Sequence, residues 1–218
     1  FEAGFHRFSW DTRYPPAADF PGMRLRGANA DGPQATPGTY QVRLTVDGVT
    51  RTEQFDLLKD PRLTEVTQAD FVAQFDLAMA VHARFNDATM AVTRIRALRG
   101  EVDDRVQSAA DVQVTQAGTA LATNLRDVEG DLYEGGAEAQ SDLKHFGTRL
   151  ANHLSYLKGV VMGADARPTQ QSFQVLEEIS VELDAHLERL ELILGDELDR
   201  FNDLLREKGL PPVGRLIA

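Results

Sequence analysis

Two periods run along this 218-residue chain, and they change over near residue 62. Up to that point apolar side chains alternate with polar ones; beyond it they recur every three or four residues. Phe5 to Trp10 alternates, with His6, Phe8 and Trp10 on one side, which predicts a strand. Tyr40, Val42, Leu44 and Val46 alternate with Gln41, Arg43 and Thr45, and Val49 to Leu57 returns after Asp47-Gly48, a favoured two-residue hairpin turn. In that register Tyr40 lies opposite Phe55 and Val46 opposite Val49, while Val42 and Leu44 face Glu53 and Arg51. Between the two strand signals, Tyr14 to Gly38 holds five of the nine prolines and four glycines, which predicts irregular loop.

From Thr67 the pattern is helical. Thr67 and Asp70 have capping-box spacing. Phe71, Phe75, Ala78, His82, Phe85, Ala88, Val92 and Ile95 form one stripe. Gly100 is expected to interrupt it, and Val106, Ala110, Val114, Ala117, Leu121, Leu125, Val128 and Leu132 form a second. Ser141 is expected to cap a third helix carrying Leu143, Phe146, Leu150, Leu154, Leu157 and Val161. The longest pattern is the fourth. Read in heptads, its seam is Phe173, Leu176, Ser180, Leu183, Leu187, Leu190, Leu194, Glu197, Phe201 and Leu204. Pro168-Thr169 opens it, and Lys208-Gly209 with Pro211-Pro212 closes it. Such a helix is roughly 55–60 Å long, and its seam must be covered by the others. Glu197 in the seam either marks where the long helix outruns its partners or pairs with an arginine such as Arg94 or Arg96. Short links make neighbouring helices antiparallel. The expected fold class is α+β, mostly α: a small antiparallel β unit over residues 1–62, then an antiparallel bundle of about four long helices over 63–218. Three or four strands are too few for a sandwich, so the β unit is read as incomplete, with early strands upstream of Phe1.

Composition narrows the function more than the fold. Acids outnumber bases 34 to 23, a net charge of −11. That disfavours nucleic acid and anionic membrane surfaces as partners. Residues 1–60 carry −1 of it and the remainder −10. With no cysteine there is no disulfide and no thiolate nucleophile or ligand, and no apolar run reaches the ~20 residues of a membrane span.

The candidate chemistry is sparse. His82 sits on an apolar helix face and reads as a core histidine. His145 and His153 are too far apart in helical spacing to clasp one metal, and Asp142 with His145 is a single, shortened approach to a di-iron motif. Asp103-Asp104, Glu177-Glu178 and Asp196-Glu197 read as solvated helix faces, since glycoside hydrolysis needs two acids converging on one cleft. No catalytic, cofactor or metal residue is assigned. Trp10, Asp11, Arg13 and Tyr14, within an aromatic and basic group that begins at Phe5, are the candidate ligand or interface residues, with a sugar-stacking platform set against plain packing.

The segments Arg7-Phe8-Ser9-Trp10-Asp11-Thr12-Arg13-Tyr14-Pro15, Gly32-Pro33, Pro37 to Leu44, Asp60-Pro61-Arg62 and Ala164 to Gln171 resemble the tail of bacterial sortilin-like, BNR-repeat propeller proteins, often labelled glycosyl hydrolases. The resemblance implies an upstream β-propeller, an immunoglobulin-like β unit, a helical end and an extracytoplasmic location. It carries over no catalytic residue, and the propeller's Asp-box is not present. The expected function is a non-catalytic structural or interaction module that packs on its propeller or on a protein partner, including a second copy through the long helix. The alternative is an accessory segment of a carbohydrate-processing enzyme.

Overall fold

The computed structural model describes residues 4–136 and 147–214. It is mostly helical, with a small two-stranded antiparallel sheet. The order is β1 (Gly38–Val46), β2 (Val49–Leu57), α1 (Gln68–Ala109), α2 (Val112–Leu132), α3 (Leu150–Val161) and α4 (Gln170–Leu192). A π-helical turn, Ile193–Glu197, then joins α4 to α5 (Leu198–Glu207).

Helix α1 starts where the capping box places it. The Asp70 amide donates to the Thr67 hydroxyl oxygen, and the Thr67 amide donates back to the Asp70 carboxylate at 2.9 Å. Gly100 does not interrupt this helix; its cost of about 1 kcal/mol relative to alanine is outweighed by the buried Ile95, Leu98 and Val102 around it. The break comes at Ala110, in the left-handed conformation with φ 45°, and Asp111 caps α2 by accepting from the amides of Gln113 and Val114. Val106 and Ala110, expected on the second helix, therefore belong to α1 and its cap. The expected start of the third helix at Ser141, with Leu143 and Phe146, lies outside the described residues. Leu150, Leu154, Leu157 and Val161 are buried on α3 as expected.

Helices α1 and α2 pack on each other; α3 packs on α1 and α4, and both halves of the α4–α5 rod pack on α2. One apolar core joins them, with Phe85, Ile95, Leu125, Leu154, Leu183 and Leu198 among its fully buried side chains. The rod's seam follows the heptads as far as Leu194: Leu183, Leu190 and Leu194 are buried, and Leu176 and Leu187 are half-buried against the core. Phe173 departs from the expectation, being 41% exposed. Past Leu194 the wider π turn advances the seam by one residue. Leu198, Phe201 and Leu205 become the buried positions, and Leu204 is only half-buried. Glu197 thereby turns out of the seam, where it accepts from Asn124 Nδ2 at 2.7 Å. Neither arginine expected as its partner reaches it: Arg94 pairs with Glu191, and Arg96 with Glu129. Gly118 lets α2 approach its neighbours, because a Cβ there would stand 2.4 Å from Val106 Cγ2 and 3.3 Å from the Phe201 ring. The rod ends in a Schellman motif, with Leu210 N–H donating to Leu205 O and Gly209 N–H to Arg206 O. Thr169 occupies the N-cap position of α4 without a side-chain capping bond.

The proline-rich stretch is irregular, as its composition predicts, yet it is core. It doubles back on itself, with Ala35 N–H donating to Thr12 O, Tyr14 N–H to Pro33 O and Ala17 N–H to Ala30 O. Pro15, Pro16 and Pro33 have no N–H to extend this ladder. The doubled strap lies on the helices and buries Ala17, Phe20, Leu25 and Ala35. Helix side chains replace the missing sheet partners. Asn86 Oδ1 accepts from Ala18 N–H, Asn152 bonds both the N–H and the C=O of Arg26, and Ser155 donates to Asn29 O. The Tyr133 hydroxyl accepts from Arg24 N–H at 2.7 Å.

Candidate interaction surface

The hairpin contrasts with the strap. Asp47 and Gly48 both take positive φ, 48° and 80°, the requirement of the tight turn their sequence predicts. The register is the expected one: Tyr40 opposite Phe55, Val42 opposite Glu53, Leu44 opposite Arg51, Val46 opposite Val49. Period two places these eight residues on one face. The other face is polar and self-satisfied, with Thr39 donating to Asp56 at 2.7 Å and the Thr45 and Thr50 hydroxyls 2.8 Å apart.

Among the described residues neither strand packs along a helix. Val42, Leu44, Val46 and Val49 are consequently 49–64% exposed, in a row with no cover. Only the base of the hairpin is held. Tyr40 donates its hydroxyl to Thr36 O, Gln68 donates to Pro37 O, and Trp10 packs over the rings of Tyr40 at 5.5 Å and Phe55 at 6.1 Å.

The four residues singled out in the sequence come together in one turn beside that base. Trp10 Nε1–H donates to Arg13 O at 3.0 Å. The Asp11 carboxylate accepts from Arg13 N–H at 2.9 Å, and Thr12 between them takes φ 64°. The Arg13 guanidinium donates to Gly32 O at 3.1 Å, and the Tyr14 ring rests on Phe75 at 5.0 Å. These bonds shape the turn, and the Trp10 ring packs against the hairpin base at 58° to Tyr40 and 77° to Phe55. The strand expected over Phe5 to Trp10 does not form. That segment is extended without a ladder partner, with Phe5 and Phe8 exposed.

The remaining polar groups are structural. Lys158 of α3 is buried, donates to the carbonyls of Asn29 and Asp31, and lies 5.5 Å from the Phe85 ring centroid. Burial lowers its pKa to about 8, partly opposed by the Asp31 carboxylate. His82 is half-buried, and burial followed by the Lys158 charge pulls its pKa down. It sits on the α1 face as expected, without a metal-ligand set around it. Glu129, nearly buried, receives Arg96 at 2.6 Å and Arg99 at 2.5 Å, while the Arg96 guanidinium covers the Phe20 ring at 4.5 Å. This pairing ties α1, α2 and the strap tip together. His153 bonds Thr148 at 2.9 Å, and His186 lies 3.4 Å from Asp131; His145 lies outside the described residues. Asp103, Asp104, Glu177, Glu178 and Asp196 are exposed. Among the described residues no three His, Asp or Glu side chains are placed to hold one metal ion, and no helix is long and apolar enough to cross a membrane.

A groove of about 760 Å³ runs between α3 and α4, lined by Arg26, His153, Tyr156, Val160, Val175 and Ile179 among others. Sequence reasoning found neither this groove nor the strap's anchors. The signal for the strap was present in Phe20, Met23 and Leu25, apolar residues spaced through a proline-rich loop.

No family model, curated protein or solved structure matches this chain. The likeness to sortilin-like and BNR-repeat proteins therefore rests on the short segments that suggested it.

Proposed function

We propose that the protein is a non-catalytic interaction module, in which an antiparallel helical bundle and its strap form a stiff body that presents the β1–β2 hairpin to a protein partner. One observation carries the reading: a sheet face whose apolar row, Val42, Leu44, Val46 and Val49, flanked by Glu53 and Arg51, stays exposed among the described residues. An isolated two-stranded hairpin is marginally stable in water, and a partner layer supplies the missing burial. The long helix is less available, since from Leu183 onward its seam is used within the chain. If the resembled family is the right one, the hairpin belongs to an immunoglobulin-like unit, the partner is the adjoining propeller and the location is extracytoplasmic. The short motifs alone support that part. The carbohydrate reading gains nothing from Trp10 Nε1, Asp11 Oδ1 and Arg13 Nη1, which are bonded within the turn and to Gly32.

The test is site-specific photo-crosslinking in the producing cells, with the reactive residue at Leu44 or, as control, at Glu188 on the helical body. The expected result is one recurring protein adduct at Leu44, whose affinity for the purified chain falls at least about tenfold in Leu44→Asp, as expected for a charge set into an apolar contact. Adducts spread equally over both positions would overturn the proposal.

A further inference from the structure

Along the exposed hairpin face, the four levels from base to tip are Tyr40 with Phe55, Val42 with Glu53, Leu44 with Arg51, and Val46 with Val49. The sequence of levels is self-complementary. Two such faces related by a two-fold axis across the strands, passing between the second and third levels, meet in reverse order with β1 over β1 and β2 over β2. Glu53 of one copy then faces Arg51 of the other, twice. Val42 faces Leu44, and the Val46–Val49 tip of each copy meets the aromatic ledge that Tyr40, Phe55 and Trp10 build at the base of the other. Placing the same faces in parallel, by a two-fold along the strands, sets β1 over β2, with Glu53 on Val42 and Arg51 on Leu44, so only the two-fold across the strands pairs the charges. Within the chain neither Glu53 nor Arg51 has an ion-pair partner among the described residues, and both are exposed. Among the described residues the hairpin packs along no helix that would block approach.

From these placements we infer that the hairpin face binds a second copy of this chain, as an isologous sheet-on-sheet contact with reciprocal Arg51–Glu53 pairs. The inference rests on the reading of the hairpin as an interaction surface and names its partner. Each strand is nine residues, about 27 Å at 3.4 Å per residue. A contact of that size is at the small end of specific interfaces, among the weak and transient ones, so association is expected at micromolar concentrations.

Sedimentation equilibrium of the 218-residue chain, from about 1 to about 300 µM, reads this directly. The wild type is expected to pass from monomer to dimer over that range. Arg51→Glu and Glu53→Arg each place like charges opposite one another twice per dimer, and each is expected to weaken the dimer about tenfold or more. The double variant Arg51→Glu/Glu53→Arg restores opposite pairs and is expected to return to within about threefold of wild type, the pairing being the same with its sense reversed. Arg43→Glu, on the polar face, is expected to leave the equilibrium unchanged. All these positions are exposed, and unchanged far-ultraviolet dichroism verifies that the helices are intact.

A wild type that stays monomeric throughout overturns the inference. So does a dimer that ignores both single swaps, or one that the double swap fails to restore. Should the wild type be monomeric while Leu44 still crosslinks to one other protein, the interaction module stands and only the second copy falls. A monomer with no hairpin adduct removes both.

Discussion

The strap and the hairpin are neighbours in the chain and opposites in burial. The strap, residues 12–36, has no regular structure and is rich in proline, yet Phe20 and Leu25 are 5% and 6% exposed. The hairpin has a complete ladder and a clean alternation, yet Leu44 is 63% exposed. Regular backbone hydrogen bonding and burial are therefore separate achievements here. The strap is held by side chains reaching from α1, α2 and α3 to its amides and carbonyls. The hairpin pairs its two strands with each other and is held from the helices only at its base, so its apolar face is left for something else.

The comparison can be broken first at its extremes. Leu183→Ala, at a fully buried seam position, is expected to cost about 2–5 kcal/mol, whereas Leu44→Ala on the hairpin is expected to cost under about 0.5 kcal/mol; urea melts of both variants measure the gap. Equal losses would mean that the hairpin face is covered within the chain.

A smaller effect probes how the strap is held. Asn152→Ala removes both part-buried bonds to the Arg26 backbone, and about 1–3 kcal/mol is expected from two lost hydrogen bonds at about 0.5–1.5 kcal/mol each. Hydrogen exchange should then quicken over residues 18–30 while the hairpin amides are unaffected. Faster exchange at the hairpin instead would show that the two regions are coupled.

The smallest effect concerns pH. Lys158 has a folded pKa of about 8 against an ordinary 10.5, because burial penalises its charge. Between those values the unfolded chain binds more protons than the folded one, so this group makes stability rise as pH increases from about 8 to 10.5. Below about 8 its full desolvation cost is present. Denaturant midpoints at the two ends of that window are expected to show the rise, and Lys158→Met is expected to remove it. A variant with the wild-type slope would assign the pH dependence to other groups.

Much of this was legible beforehand, for reasons that particular residues make clear. Thr67 with Asp70, Asp47-Gly48 and Lys208-Gly209 are local signals, each fixed by a few neighbouring dihedrals and hydrogen bonds, and each marks its element where expected. The candidate residues Trp10 to Tyr14 were legible as a group. Their use of one another's polar atoms was not, because Gly32, Tyr40 and Phe55 are brought to them only by the fold. The heptad reading slipped after Leu194, where Leu198 and Leu205 replace Glu197 and Leu204 while Phe201 keeps its place, since one residue accommodated in a π turn shifts the register and leaves no mark in the periodicity. Gly100 misled in the other direction: a helix cost of about 1 kcal/mol is small beside the burial on either side of it.

By itself the sequence determined most of the segments that become strand or helix, where most of them start and stop, and which side of each is apolar, because these depend on contacts a few residues apart. Tertiary structure alone decided which apolar faces are covered. The stretch that reads as irregular loop became core once Asn86, Asn152 and Lys158 reached it, and the strand pair whose alternation marks one apolar side leaves that side exposed. Burial is a relation between segments distant in the chain, and no local period encodes the partner.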